Sequence, residues 1–189
     1  MCRVKIGLKP LVSKNVYLSF QGKNELRIDW IQCNETIGKL GLTILPGRQD
    51  RNRSLDDDIK IFKKEKVNTI YCLAEQWELD DFGVADLIFK YHQSSLEAFH
   101  TPAVDQKTLT QGETHRLIID IHGTLMQNKN VVVHCIGGLG RSGTLAACYL
   151  KQQGYTSEEA IVQIRKDRSP RSIENVDQEN FINDYEPHN

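Results

Sequence analysis

Val131-Val132-Val133-His134-Cys135-Ile136-Gly137-Gly138-Leu139-Gly140-Arg141-Ser142-Gly143-Thr144 is the stretch on which the reading of this chain turns. Three β-branched residues lead in, as in a buried strand, and a helix-like run from Thr144 to Leu150 leads out. Strand, tight glycine loop and helix N-terminus together make a cradle for phosphate, because backbone N–H groups converge there with the positive end of the helix dipole. Gly137, Gly138 and Gly140 are expected to supply backbone angles that side chains forbid. Holding phosphate does not require a cysteine at the mouth of such a cradle; attack on phosphorus does. Helix N-termini and neighbouring cations favour the thiolate, and Cys135 is expected to feel both. Arg141 offers a planar fork that fits two phosphate oxygens, and the Ser142 hydroxyl could hydrogen-bond the sulfur as it leaves. The plainer reading, a buried strand-end cysteine, accounts for Cys135 but not for an arginine inside a glycine loop.

Two other glycine motifs overlap this stretch. Gly138 to Gly143 also fits the dinucleotide fingerprint GxGxxG, yet too little chain follows for the rest of such a domain, and Arg141 would stand where pyrophosphate must approach. The nucleotide-triphosphate loop fails because no Gly-Lys-Ser/Thr follows.

His134-Cys135, five residues, then Arg141-Ser142 resembles the HCxxGxxRS signature of cysteine-dependent protein tyrosine and dual-specificity phosphatases. The GGLGRS of the loop and the segment Leu40-Gly41-Leu42-Thr43-Ile44-Leu45-Pro46-Gly47 are most similar to the cyclin-dependent-kinase-associated phosphatases. The likeness runs from about Asp29 to about Asp184. It implies loop amides from Ile136, Gly137, Gly138, Leu139, Gly140 and Arg141 around the phosphate, and His134 as a structural residue that orients hydrogen bonds behind the loop. It also implies Asp105, in His100-Thr101-Pro102-Ala103-Val104-Asp105, as the acid that protonates the leaving oxygen and later takes a proton from water; read alone, Asp105 is a solvated loop residue. Asp80, Asp81 and Asp86 fall on the polar face of a helix-like segment and suit that role less well. Some relatives place the hydrolytic water with a glutamine near the C-terminus, where Gln178 stands; Gln178 reads equally well as a surface helix residue. Some place a cysteine on the strand beside the nucleophile, as Cys72 is placed here. Cys72 is either a reversible disulfide partner for oxidised Cys135 or a buried apolar cysteine.

The surrounding chain fits an enzyme of this kind. It has 189 residues, 39% hydrophobic and 26% charged, with a net charge of −1. That balance disfavours bulk attraction to nucleic acid or anionic membranes. No apolar stretch reaches membrane-spanning length, and Met1-Cys2-Arg3-Val4-Lys5 lacks a signal-peptide core. Five scattered cysteines do not make a secreted disulfide framework, so the expected location is the cytoplasm. His92, His100, His115, His122 and His188 show no metal spacing, and neither metal nor cofactor is expected.

Strands are expected at 16–20, 26–31, 40–45, 69–74 and 131–133, with an extended segment at 96–102. Helices are expected from Ser54 to about Lys66, Glu78 to about Gln93, Gln111 to about Gln127, Thr144 to Gln153, Thr156 to about Arg168, and from near Asn175. This alternation predicts a three-layer α/β/α fold with a mainly parallel central sheet, the phosphatase fold of the resemblance. Residues 1–36 match the family poorly and are expected to form an added hairpin on the catalytic domain, 37–189.

The resemblance implies a phosphorylated protein as substrate, including a cyclin-dependent kinase, with no nucleic acid or membrane partner. Little sequence beyond the family likeness remains at the C-terminus to dock a kinase. Arg48, Arg51 and Arg53 form a basic cluster that reads either as solvated or as a reader of acidic sequence. Phosphoinositide phosphatases tend to carry lysine inside the loop, where this chain has Ile136 and Leu139. RNA 5′-phosphatases share the loop but call for a more basic chain. Inactive phosphoprotein-binding modules usually lose the cysteine, the arginine or the acid, and Cys135, Arg141 and Asp105 are all present.

Overall fold

The computed structural model describes residues 25–34 and 36–187. The strand expected at 16–20, and with it the added hairpin, lies outside them. Among the described residues five strands form one sheet: β1 (Asp29–Ile31), β2 (Leu40–Thr43), β3 (Val67–Cys72), β4 (Glu97–His100) and β5 (Asn130–His134), in the order β1-β2-β5-β3-β4. Only β1 runs antiparallel to its neighbour; β2, β5, β3 and β4 are mutually parallel. Among the described residues seven α-helices cover the sheet: α1 (Leu55–Lys64), α2 (Gln76–Asp81), α3 (Leu87–Gln93), α4 (Gln111–Met126), α5 (Arg141–Gln152), α6 (Ser157–Asp167) and α7 (Val176–Asp184).

The three valines explain why β5 lies in the centre. Each is completely buried, and their side chains alternate between faces. Val131 and Val133 pack with Leu117, Ile118, Ile121 and Leu125 of α4 and with the apolar side of α5. Val132 packs on the other face with Phe62 of α1 and Tyr91 of α3. A strand buried on both faces has no polar side to spare, so its sequence is apolar without alternation. Full burial of each valine is worth about 1.5–3 kcal/mol, and the central position leaves the loop after β5 supported on both sides.

Expected caps are present. The Ser54 hydroxyl accepts a hydrogen bond from Asp57 N–H at 3.3 Å, opening α1. Thr156 and Glu159 form a reciprocal capping box at α6, and Asn175 caps α7. Two expectations need correction. The first strand is only three residues long rather than spanning 26–31. The single helix expected over 78–93 is two helices, because Gly83 adopts φ +73° and turns the chain between α2 and α3.

Candidate active site

The loop from Cys135 to Gly140 joins β5 to α5 at the carboxyl edge of the sheet. Every carbonyl from Ile136 to Gly140 is engaged from outside the loop or by the helix that follows it. Ile136 accepts from Leu45 N–H at 3.0 Å and from Arg48 Nη1 at 3.2 Å. Gly137 and Gly138 accept from the Arg168 guanidinium, Nη2 at 3.0 Å and Nε at 2.9 Å respectively. Leu139 accepts from Ile173 N–H at 3.2 Å, and Gly140 from Thr144 N–H at 2.8 Å. A planar peptide points its N–H opposite its C=O, so engaging the carbonyls outside turns amides toward the loop's interior, the geometry of an anion cradle.

Of the three loop glycines only Gly138 lies in the left-handed region, at φ +66°, and a Cβ there would fall 2.1 Å from the Thr43 carbonyl oxygen. Gly140 has φ −74° as the residue before α5. A Cβ there would fall 2.3 Å from Oε2 of Glu174, the movable end of an exposed side chain.

Cys135 is 3% exposed, at the end of β5, with its Sγ 3.6 Å from Ser142 Oγ. Arg141 opens α5 and lies beneath the loop. Its Nη1 and Nη2 donate to the two carboxylate oxygens of Glu78 at 2.6 and 2.8 Å, and Nη1 also donates to the Ala103 carbonyl at 2.9 Å. This is a buried, two-pronged ion pair whose partners hold each other in place. Glu78 accepts in addition from Glu75 N–H at 2.8 Å, which fixes its carboxylate at the start of α2. Asp105 Oδ1 lies 3.1 Å from Arg141 Nη2, although its side chain is 56% exposed. Asp105 stands on a turn tied to the start of α7 by Asn175 Nδ2, which donates to the Gln106 carbonyl at 3.0 Å.

His134 is fully buried behind the loop. Its Nδ1 is 3.3 Å from the Cys135 carbonyl and its Nε2 3.3 Å from the Tyr91 hydroxyl. A carbonyl only accepts, so Nδ1 carries the proton and Tyr91 donates to Nε2. Burial, chiefly, lowers the His134 pKa to about 4. The histidine is therefore neutral at physiological pH and supports the loop by hydrogen bonds rather than by charge.

Gln178 is fully buried, not on the surface. Its Oε1 accepts from Glu174 N–H at 2.8 Å, while its Nε2 has no hydrogen-bond partner. Cys72 ends β3 opposite His134. It is fully buried, and burial pushes its thiol pKa up to about 12.

The basic cluster is not a free surface. Arg48 is 8% exposed and grips Asp50 at 2.7 and 2.8 Å while bracing the Ile136 carbonyl. Arg53 forms a buried pair with Asp58, and Arg51 lies 3.9 Å from Asp50. Sequence reasoning therefore gave Arg48 the wrong surroundings. It also missed Glu78, whose partner is 63 residues away, and Arg168, held from behind by Asp29 of β1.

Cys135, Arg141, Asp105 and Glu78 all line one cavity of about 370 Å³, walled further by Ile136, Gly137, Trp77, Asp81 and Glu174.

A family model described as cyclin-dependent kinase inhibitor 3 matches residues 21–161. Cyclin-dependent kinase inhibitor 3 of Rattus norvegicus is 27% identical over 169 residues, covering 85% of this chain and 78% of that protein. A solved kinase-associated phosphatase whose catalytic-site cysteine is replaced by serine superposes with a TM-score of 0.79 at 26% identity, covering 85% of this chain and 93% of that one. PTPMT1 in complex with PI(5)P shares the fold, with a TM-score of 0.66 at 23% identity, covering 83% of this chain and 94% of that one.

Proposed function

This chain belongs to the cyclin-dependent kinase inhibitor 3 family, and from that premise we propose that it is a protein phosphatase that hydrolyses phosphotyrosine or phosphoserine/threonine esters through a phosphocysteine at Cys135. The observation that carries the reading is the convergence of a thiol, a buried guanidinium and an exposed carboxylate on one cavity. The loop amides and Arg141 take the phosphate oxygens. Asp105, on the exposed side of the same guanidinium, protonates the leaving oxygen. Sulfur attacks phosphorus, the ester oxygen leaves with the Asp105 proton, and Ser142 Oγ then steadies the sulfur as water releases phosphate. Gln178 faces the loop as a holder of that water, and His134 orients the loop from behind.

A phosphoprotein is favoured over a phosphoinositide because Asp81, Asp105 and Glu174 line the cavity, and Arg141 is the single Lys or Arg among the described residues that line it. A polyphosphorylated head group would meet carboxylates there. The relatives' name makes a cyclin-dependent kinase the first substrate to try. No helix among the described residues is long and apolar enough to cross a membrane. We assign the enzyme to the cytoplasm, where reducing conditions preserve thiols; Cys33, Cys72, Cys135 and Cys148 are all unpaired. Trapping of oxidised Cys135 by Cys72 belongs to the same proposal. Peptide mapping after mild peroxide that finds Cys135 as sulfinic acid and Cys72 untouched removes it.

The test is turnover of para-nitrophenyl phosphate. The wild-type protein is expected to cycle, and Cys135→Ser to lose about 10⁴-fold or more. Equal rates for the two proteins would refute the reading. A phosphothreonine peptide and a phosphatidylinositol phosphate, offered in parallel, are expected to separate in favour of the peptide.

A further inference from the structure

Two polar atoms converge beside Gly140. A Cβ built on that glycine would fall 2.3 Å from Glu174 Oε2 and 2.9 Å from Gln178 Nε2. Gln178 is fully buried, and its Nε2 is a donor with nothing to donate to. A buried amide left unpaired costs about 1–3 kcal/mol, and a water accepting from it removes that cost. The amide is not free to turn away: its Oε1 is committed to Glu174 N–H at 2.8 Å, so Nε2 keeps its direction. Glu174, by contrast, is exposed and lines the cavity that holds Cys135. A water seated between the two would accept from the Gln178 amide and donate to the Glu174 carboxylate, on the wall of the reaction cavity.

We propose that Glu174 is a catalytic residue of the second half-reaction: with Gln178 it holds the hydrolytic water and, in place of Asp105, takes its proton. The inference rests on the phosphatase reading above. The water oxygen forms a bond to the phosphorus of phosphocysteine, and the S–P bond breaks with its electron pair returning to Cys135 Sγ. The water proton passes to the Glu174 carboxylate and from there to solvent, and inorganic phosphate leaves. Glu174 is placed for this step because its carboxylate and the Gln178 amide converge on one point beside Gly140. Asp105 and Glu174 divide the work, Asp105 donating in the first step and Glu174 accepting in the second.

Rapid-mixing kinetics with para-nitrophenyl phosphate separates the steps. Glu174→Ala and Glu174→Gln are each expected to release nitrophenol in a burst of about one equivalent at the wild-type first-step rate. Steady turnover should then be about 10²-fold slower, and the intact mass should show one phosphate retained on the protein. Wild-type turnover by Glu174→Gln overturns the assignment of the proton, since an amide can hold water but cannot take its proton. A burst slowed in step with turnover overturns it as well, because Glu174 would then act before the intermediate forms. Failure of the wild-type protein to turn over at all would instead strike the phosphatase reading itself.

Discussion

The floor of the cavity and its rim touch where Arg141 meets Asp105, yet they are built differently. The side chains of Arg141 and Glu78 are 2% and 5% exposed, while that of Asp105, touching the same guanidinium, is 56% exposed. Floor residues sit on β5, α2 and α5 and are tied to one another before any phosphate arrives. Rim residues sit on turns, at the ends of α2 and before α7. A phosphate binder gains from a rigid cradle, because the geometry is set before the ligand enters. A proton donor must approach a variable leaving group and later let product out. The difference teaches that binding and proton transfer can be damaged separately.

Glu78→Ala is the sharpest probe of the floor. It strands Arg141 as a buried unpaired charge, and both stability and turnover are expected to fall, stability by about 3–5 kcal/mol. Urea denaturation with a midpoint like wild type would break the distinction between floor and rim. Asp105→Asn probes the rim. The first chemical step should slow by about 10²- to 10⁴-fold, with stability within about 0.5 kcal/mol of wild type. A large loss of stability would place Asp105 in the floor after all.

His134 sharpens the comparison through pH. Its folded pKa of about 4 lies below the ordinary 6.5, so the unfolded chain binds a proton in a range where the native protein does not. This contribution to stability is complete above pH 6.5 and declines as the pH falls to about 4, by up to roughly 3 kcal/mol. Denaturation midpoints of His134→Asn are expected to lack that part of the acid slope. Identical slopes in variant and wild type would mean that some other group sets it. Arg168→Lys is the mildest change. One ammonium cannot hold the Gly137 and Gly138 carbonyls as a guanidinium does, so KM should rise several-fold with a stability loss of about 1–2 kcal/mol.

The loop, its helix and the mainly parallel sheet were legible in the sequence because their signals are local. Valines without alternation announce a strand buried on both faces, and the spacing from Cys135 to Arg141 lies within one motif. Glu78 was hidden by its setting: a glutamate near the start of an acidic helix looks solvated, and nothing nearby announces a partner on α5. Arg168 was read as the tail of a helix for the same reason, since the carbonyls it holds carry no side-chain signature. Arg48 and Arg53 looked like a surface patch until folding brought Asp50 and Asp58 beside them. Gly83 falls inside the single helix expected over 78–93, whereas it separates two helices. Glu174 became visible only with the contact to Gly140.

The cysteines carry a practical consequence. Burial pushes the thiols of Cys33, Cys72 and Cys148 up to about 12, and none of the three lines the cavity that Cys135 does. A small electrophile shaped like a phosphate ester would therefore find one reactive sulfur among the described residues. Mass spectrometry of the label on the Cys135 peptide becomes a head-count of correctly folded molecules, taken without any substrate.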